Sequence, residues 1–224
     1  MSLPRTVKAV VFDMDGLLID TETAARDAFL AATALHGHDV PMDVYGRMIG
    51  TPGVISREIL QAHFGPGVSI EDLWGAWDDH YEARMDAGVS LKAGVVELLD
   101  HLDAAGLRRA IATSSPHEHV RRHLGRHGLT DRFHAVVARG DYERGKPNPD
   151  PYLKAAGVLG VLPAHCLALE DSHNGVRAAH GAGMMTVMVP DLLDPTEEMH
   201  GLCVRIADSL HEVRELLAGQ GARR

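Results

Sequence analysis

Short apolar runs alternate with segments of helical spacing along most of this chain. The candidate strands are the six runs VKAVVF, RRAIAT, HAVVA, CLALE, MMTVMV and CVRIA. Helical periodicity appears between them, around residues 93–106, 117–127, 151–161, 173–182 and 208–218. Runs this apolar leave no face for water, which is typical of parallel strands covered on both sides. The pattern therefore predicts an α/β fold built on a doubly wound parallel sheet.

One long interval interrupts the alternation. From about Asp20 to Gly88 no segment has the pattern of a strand, whereas TAARDAFLAATALHG and EDLWGAWDDHYEARMDAG have helical spacing and end in glycine. We therefore predict a core domain formed by residues 1–19 and 89–224, with an all-helical domain of residues 20–88 inserted after the first strand.

The composition is that of an ordinary globular protein with an acidic balance. Of the 224 residues, 45% are hydrophobic and 24% are charged, so a well-buried core is expected. Acidic residues outnumber basic ones by 31 to 22, and the absence of a basic run argues against nucleic acid as a partner. No apolar run approaches the roughly 18 residues of a membrane span, and the first residues lack the apolar length of a secretory signal. We expect no membrane partner and a cytoplasmic location.

Polar residues gather where several predicted strands end. In open parallel sheets, ligands bind in the crevice outside the carboxyl ends of the strands. The candidates there are Asp13 and Asp15 after VVF, Thr113, Ser114 and Ser115 after AIA, Lys146 in the loop GKPNPDP, and Glu170 and Asp171 after CLAL. We therefore expect them to form one site at one edge of the sheet.

The charges at this edge predict a metal and a phosphate. Four carboxylates with one lysine repel one another strongly unless protons or a cation are present. Oxygen ligands favour magnesium or calcium over zinc, and magnesium that keeps water ligands leaves room for a substrate phosphate. Lys146 and the hydroxyl or amides near Thr113 would balance the charge of that phosphate. Of the two aspartates after the first strand, one can attack phosphorus while the other transfers protons.

Each cluster taken alone also has an ordinary structural explanation. The Asp-x-Asp-Gly sequence is common in turns. Thr113 and Ser114 would cap the helix that Pro116 begins. Glu170 and Asp171 would interact favourably with the N-terminus of the following helix. The four clusters together, in this order, are far more specific than any one of them.

The motifs DMDGLLIDTE, ATSS, GKPNPDPYL and EDSHNGV, in this order, resemble those of the haloacid dehalogenase-like phosphohydrolases over nearly the whole chain. The helical insertion is similar to the cap of the branch that includes β-phosphoglucomutase and phosphoglycolate phosphatase. The resemblance implies a Rossmann-like core with a helical cap. It also implies a magnesium-dependent phosphatase that hydrolyses a small phosphorylated metabolite, a phosphomonoester, through an aspartyl-phosphate intermediate.

The resemblance further implies a role for individual residues. Asp13 would be the nucleophile and Asp15 the general acid/base. Thr113 and Lys146 would bind the phosphate charge, and we place Ser114 with them. The implied magnesium ligands are Asp13, Asp15, Glu170 and Asp171, of which Asp15 would use its backbone carbonyl.

A phosphosugar mutase similar to β-phosphoglucomutase is the main alternative. This chain has Ala25, Gly53 and Pro116 where that pattern has histidine, arginine and lysine. Losing basic contacts to the phosphate that is not transferred weakens a mutase, so we favour hydrolysis. A dehalogenase is disfavoured because Asp15 and the Glu170–Asp171 pair would place needless negative charge around the nucleophile. A phospho-accepting signalling module, which is not an enzyme, fits poorly with the long insertion.

Histidines add one further candidate. His117 directly follows TSSP and lies close to the predicted crevice, where it is a candidate for substrate contact. His119, His123 and His127 recur every four residues and share one helix face, for which we expect a solvated basic stripe rather than a metal site.

Overall fold

Each of the six predicted apolar runs forms a strand in the computed structural model, which describes residues 3–49 and 53–221. The strands are β1 (Ala9–Phe12), β2 (Arg108–Pro116), β3 (Ala135–Arg139), β4 (Cys166–Glu170), β5 (Met185–Met188) and β6 (Arg205–Ile206). The helices are α1 (Thr21–Leu35), α2 (Met42–Met48), α3 (Gly53–Phe64), α4 (Ile70–Ala87), α5 (Val95–Ala104), α6 (His117–Arg126), α7 (Asp150–Leu159), α8 (His173–Gly181), α9 (Glu197–Leu202) and α10 (Leu210–Gly221).

All six strands form one parallel sheet in the order β3-β2-β1-β4-β5-β6. The chain starts in the middle of the sheet, builds outward to β3, and returns to β4 on the other side of β1. Because parallel crossovers are right-handed, the two directions of winding place helices on both faces. The predicted doubly wound α/β fold is confirmed. The strand order reverses between β1 and β4, which is where such folds bind ligands.

Alternation along the buried strands places one set of side chains against α7 and α8. Ala9 and Val11 of β1 belong to the same core cluster as Tyr152 of α7. Alanines dominate this layer, so the helices approach the sheet closely; the other alanines in the cluster are Ala110, Ala112, Ala155, Ala156, Ala168, Ala178, Ala179 and Ala182. Tyr152, which is fully buried, is thereby held against the strands near their carboxyl ends.

The residues from Asp20 to Ser90 form a compact unit of their own, with α1 to α4 as its helices. Aromatic packing holds this unit together: the ring of Phe29 lies 5.2 Å from that of Tyr45 and 5.0 Å from that of Trp77. The indole N–H of Trp77 donates to the carbonyl of Ala25 at 2.9 Å. The insertion therefore has its own core.

The described residues up to Ile19 and from Leu91 onward form the other compact unit. Its two chain segments join at the insertion point, because Ile19 and Leu91 form an antiparallel bridge and the N–H of Lys92 donates to the carbonyl of Leu18 at 3.0 Å. The chain therefore leaves the core unit and re-enters it at neighbouring positions. None of the helices in the described ranges combines the length and hydropathy needed to cross a membrane.

Candidate active site

Asp13 lies at the point of the sheet where the strand order reverses. It directly follows β1, and its N–H donates to the carbonyl of Leu169 in β4 at 3.0 Å. The ladder between β1 and β4 thus extends one residue further and brings the side chain of Asp13 next to Glu170. Gly16 then turns the chain with a φ of 80°, a conformation that favours glycine. The first motif therefore ends the strand and reverses direction within a few residues.

Lys146 links two of the predicted acidic residues. Its ammonium donates to Asp13 Oδ1 and, at 2.6 Å, to Glu170 Oε1. All three side chains are at least nine-tenths buried. Burial lowers the pKa of Lys146, but the charges of Asp13 and Glu170 outweigh burial and raise the pKa above its usual value. Lys146 is therefore a buried, permanently charged ammonium.

Glu170 is enclosed by donors on both oxygens. Its Oε1 accepts the Tyr152 hydroxyl at 2.6 Å in addition to Lys146. Its Oε2 accepts the hydroxyl of Ser172 at 3.0 Å and the N–H of Ser172 at 3.3 Å. A carboxylate with this number of donors is held in one orientation.

Three carboxylates have the arrangement of a cation site. Oxygens of Asp13, Glu170 and Asp171, all buried, lie within 4.8 Å of one another. Burial raises the pKa of Asp13 to about 8; Lys146 opposes this rise, and the charges of Glu170 and Asp15 add to it. A single ammonium thus faces three buried carboxylates. A divalent cation in this oxygen set would supply the missing charge, so the residues fit such an ion.

Asp15 contacts the second predicted cluster. Its Oδ2 accepts the hydroxyl of Ser115 at 2.7 Å and that of Thr113 at 3.3 Å. The Thr113 hydroxyl oxygen in turn accepts the N–H of Ser115 at 3.0 Å. The structure therefore joins the ends of β1 and β2 through side chains, as the strand-end rule predicts.

Ser114 contacts the residue at the end of β3 through its backbone. Ser114 is exposed, and its carbonyl accepts the Arg139 guanidinium at 2.9 Å. The pairing of β2 with β3 shifts register between Ala112 and Pro116, and the serines lie in this irregular stretch. The sequence grouped Ser115 with its neighbours but gave no signal that Ser115 rather than Ser114 faces Asp15.

The histidines differ from one another in their surroundings. His117 Nε2 lies 2.8 Å from Asp141 Oδ2, which also accepts the N–H of Ala138 at 2.9 Å. The bond from Ala138, together with His117, lowers the pKa of Asp141. The predicted solvated stripe is wrong at His123, which is only 4% exposed and whose pKa is lowered by burial. His123 lies on the helix face that the spacing of four predicts, but at this position the face of α6 is buried rather than solvated.

A parallel, doubly wound sheet with buried carboxylates and a lysine at its switch point defines an α/β protein suited to bind a small charged ligand there. The family model described as haloacid dehalogenase-like hydrolase matches residues 7–183. The chain belongs to this family, and the predicted resemblance is confirmed.

Relatives with known names extend the comparison. YhcW of Bacillus subtilis (strain 168) is 39% identical over 191 residues, covering 85% of this chain and 86% of that protein. Hexitol phosphatase B of Escherichia coli (strain K12) is 32% identical over 205 residues, covering 85% and 86%. The crystal structure of a CbbY mutant from Rhodobacter sphaeroides in complex with xylulose-(1,5)bisphosphate has a TM-score of 0.70 and 30% identity, covering 92% and 96%. The chain is accordingly an enzyme, a phosphoric monoester hydrolase of this family.

Proposed function

We propose that this protein is a magnesium-dependent phosphatase that hydrolyses a small phosphomonoester through an aspartyl phosphate on Asp13. The observation that carries the proposal is the buried group of Asp13, Lys146 and Glu170 at the switch point of the sheet. A lysine that contacts the nucleophile is also placed to contact a phosphate that the nucleophile attacks. The same group has one ammonium against several carboxylates, which favours the binding of a cation.

The metal site consists of residues from two neighbouring strand ends. Asp13, Glu170 and Asp171 would hold Mg²⁺, and Asp15 would add its backbone carbonyl. The bound ion supplies positive charge that offsets the charge of the transferring phosphoryl group. The ligands are hard oxygens, which Mg²⁺ prefers.

Hydrolysis takes place in two displacements. A carboxylate oxygen of Asp13 forms a bond to phosphorus as the bond from phosphorus to the ester oxygen breaks, and Asp15 gives that oxygen its proton. Asp15, now ionised, takes a proton from water, which attacks the aspartyl phosphate and releases inorganic phosphate. Ser115 and Thr113 orient the Asp15 carboxyl through the hydrogen bonds to Oδ2. Thr113, Ser114 and Lys146 bind the phosphate in this proposal.

The substrate class that we propose is a phosphorylated sugar or polyol. Hexitol phosphatase B and the CbbY complex with a sugar bisphosphate support it, because both names refer to small phosphorylated carbohydrates or their reduced forms. An acidic chain of net charge −9 also favours small substrates over polyanions such as nucleic acid.

Replacing the nucleophile tests the proposal. Asp13→Asn keeps the size of the side chain but removes its nucleophilic carboxylate, so we expect phosphate release to fall by about 10³-fold or more. Free phosphate and isomerised sugar phosphate are measured together over a panel of phosphomonoesters with Mg²⁺. Asp131→Asn, at an exposed position, is the matched control and keeps normal turnover.

Two outcomes would contradict the proposal. Substantial hydrolysis by Asp13→Asn excludes Asp13 as the nucleophile. Isomerised sugar phosphate that accumulates without free phosphate makes the protein a mutase instead.

A further inference from the structure

Tyr152 contacts both charged partners of the nucleophile. Its hydroxyl donates to Glu170 Oε1 at 2.6 Å, and the Lys146 ammonium lies 5.2 Å from the centre of its ring. The side chain is fully buried. The phenol is therefore a buried donor that bonds Glu170 directly.

The first turn of α8 has a glycine where the same carboxylate needs space. A Cβ on Gly175 would lie 1.8 Å from Glu170 Oε1 and 2.1 Å from Oε2, far inside any real contact. The N–H of Gly175 also donates to the hydroxyl of Ser172 at 3.1 Å, and that hydroxyl donates to Glu170 Oε2. Only a residue without a side chain allows the carboxylate of Glu170 to lie here.

We propose that Tyr152 is a positioning residue for the metal centre, and that Gly175 provides the space in which Tyr152 fixes the Glu170 carboxylate. The inference rests on the proposed function, in which Glu170 is a ligand of Mg²⁺. A ligand already held by fixed donors loses little freedom when it binds the ion, and partners behind metal ligands typically affect affinity by about 10–100-fold. Tyr152 thus acts on the reaction through Glu170 and Lys146 without touching substrate.

The first test removes one oxygen atom. Tyr152→Phe keeps the ring beside Lys146 but loses the donor to Glu170, so we expect the Kd for Mg²⁺ to rise by about tenfold or more. The measurement is calorimetric titration of chelator-treated protein with Mg²⁺ alone. Tyr142→Phe is the matched control for binding, because its hydroxyl donates to the carbonyl of Thr113 at 3.0 Å and does not bond Glu170. Its Kd stays within about twofold of wild type.

A second pair of variants tests the space that Gly175 leaves for the Glu170 carboxylate. Gly175→Ala forces the carboxylate out of its position, so Mg²⁺ binding weakens more than in Tyr152→Phe. Gly157→Ala in α7 is the control, since nothing lies within 4 Å of a Cβ there. Adding Glu170→Asp to Gly175→Ala shortens the carboxylate side chain and restores thermal stability without restoring Mg²⁺ affinity. If Tyr152→Phe fails to fold, this pair decides the question.

The outcomes separate this inference from the proposed function. A Tyr152→Phe variant that binds Mg²⁺ within about twofold of wild type, or a Tyr142→Phe control that weakens equally, overturns the positioning role. Turnover by Tyr152→Phe that recovers as Mg²⁺ is raised supports it. Wild-type protein that binds Mg²⁺ with the expected variant pattern, yet hydrolyses no phosphomonoester, overturns the proposed function alone.

Discussion

At the scale of single residues, the site places ionisable side chains where almost no water reaches them. Asp13, Glu170 and Lys146 are each nearly inaccessible to water, and the Lys146 ammonium pairs with both carboxylates. Breaking a buried ion pair by removing one partner is costly because the remaining charge has no solvent to stabilise it. Lys146 therefore has a structural role in addition to its proposed contact with phosphate.

Removing the Lys146 ammonium should make the thermal stability of the protein depend more strongly on Mg²⁺. Lys146→Met leaves two buried carboxylates without their cation, so we expect a loss of about 3 kcal/mol in the free energy of unfolding in chelator. Mg²⁺ supplies the missing charge, so the variant should gain more thermal stability from Mg²⁺ than wild type does. Thermal unfolding with chelator and with Mg²⁺ measures both effects.

The control for this prediction is Lys154→Met, which removes an exposed ammonium from α7. Its unfolding should match that of wild type under both conditions. Equal stabilisation of Lys146→Met and wild type by Mg²⁺ would show that Lys146 and the ion do not share one group of carboxylates.

At the scale of elements, the sequence predicts the strands well because their apolar runs leave no other assignment. The strand-end rule then brings Asp13 close to Glu170 without any knowledge of contacts. What it cannot supply is the side-chain partner from a distant helix. Tyr152 has the pattern of an ordinary core position of α7, and only the packing of α7 against β4 puts its hydroxyl on Glu170.

Helix α6 contains a second residue whose surroundings the sequence did not reveal, the buried His123. Its burial leads to a prediction about pH. Burial lowers the pKa of His123, which the charge of Asp15 only partly opposes. The unfolded chain therefore binds more protons at this histidine than the folded chain does, so folded stability rises with pH through the titration range and is lost as pH falls.

The measurement is urea unfolding of wild type and His123→Gln between about pH 7.5 and about pH 5.5. The free energy of unfolding should fall more steeply with acidification in wild type than in the variant, because glutamine does not titrate. Identical slopes would mean that His123 becomes protonated as easily in the folded protein as in the unfolded chain.

At the scale of the whole molecule, the chain divides into two compact units, and one of them holds the whole proposed metal centre. Every residue of the acidic cluster, with Lys146 and Tyr152, belongs to the unit that contains the sheet. The insertion contributes none of these residues. Its ends are close together, since the N–H of Asp20 donates to the carbonyl of Ser90 at 3.0 Å.

Removing the insertion should leave the metal centre intact. We expect a chain with a short glycine-serine linker between Asp20 and Ser90 to fold and to bind Mg²⁺ with a Kd within about threefold of the full chain. Circular dichroism and calorimetry test these points; an unfolded product would show that the core depends on the insertion.

The position of β1 between β2 and β4 has a consequence for how the enzyme is made. Asp13 follows β1 and leaves the ribosome well before Glu170 and Asp171, which come from the end of β4. A nascent chain therefore carries no assembled acidic centre until β4 has emerged and paired with β1. A fragment that ends before β4 lacks Glu170 and Asp171, and with them two of the three carboxylates of the proposed metal site.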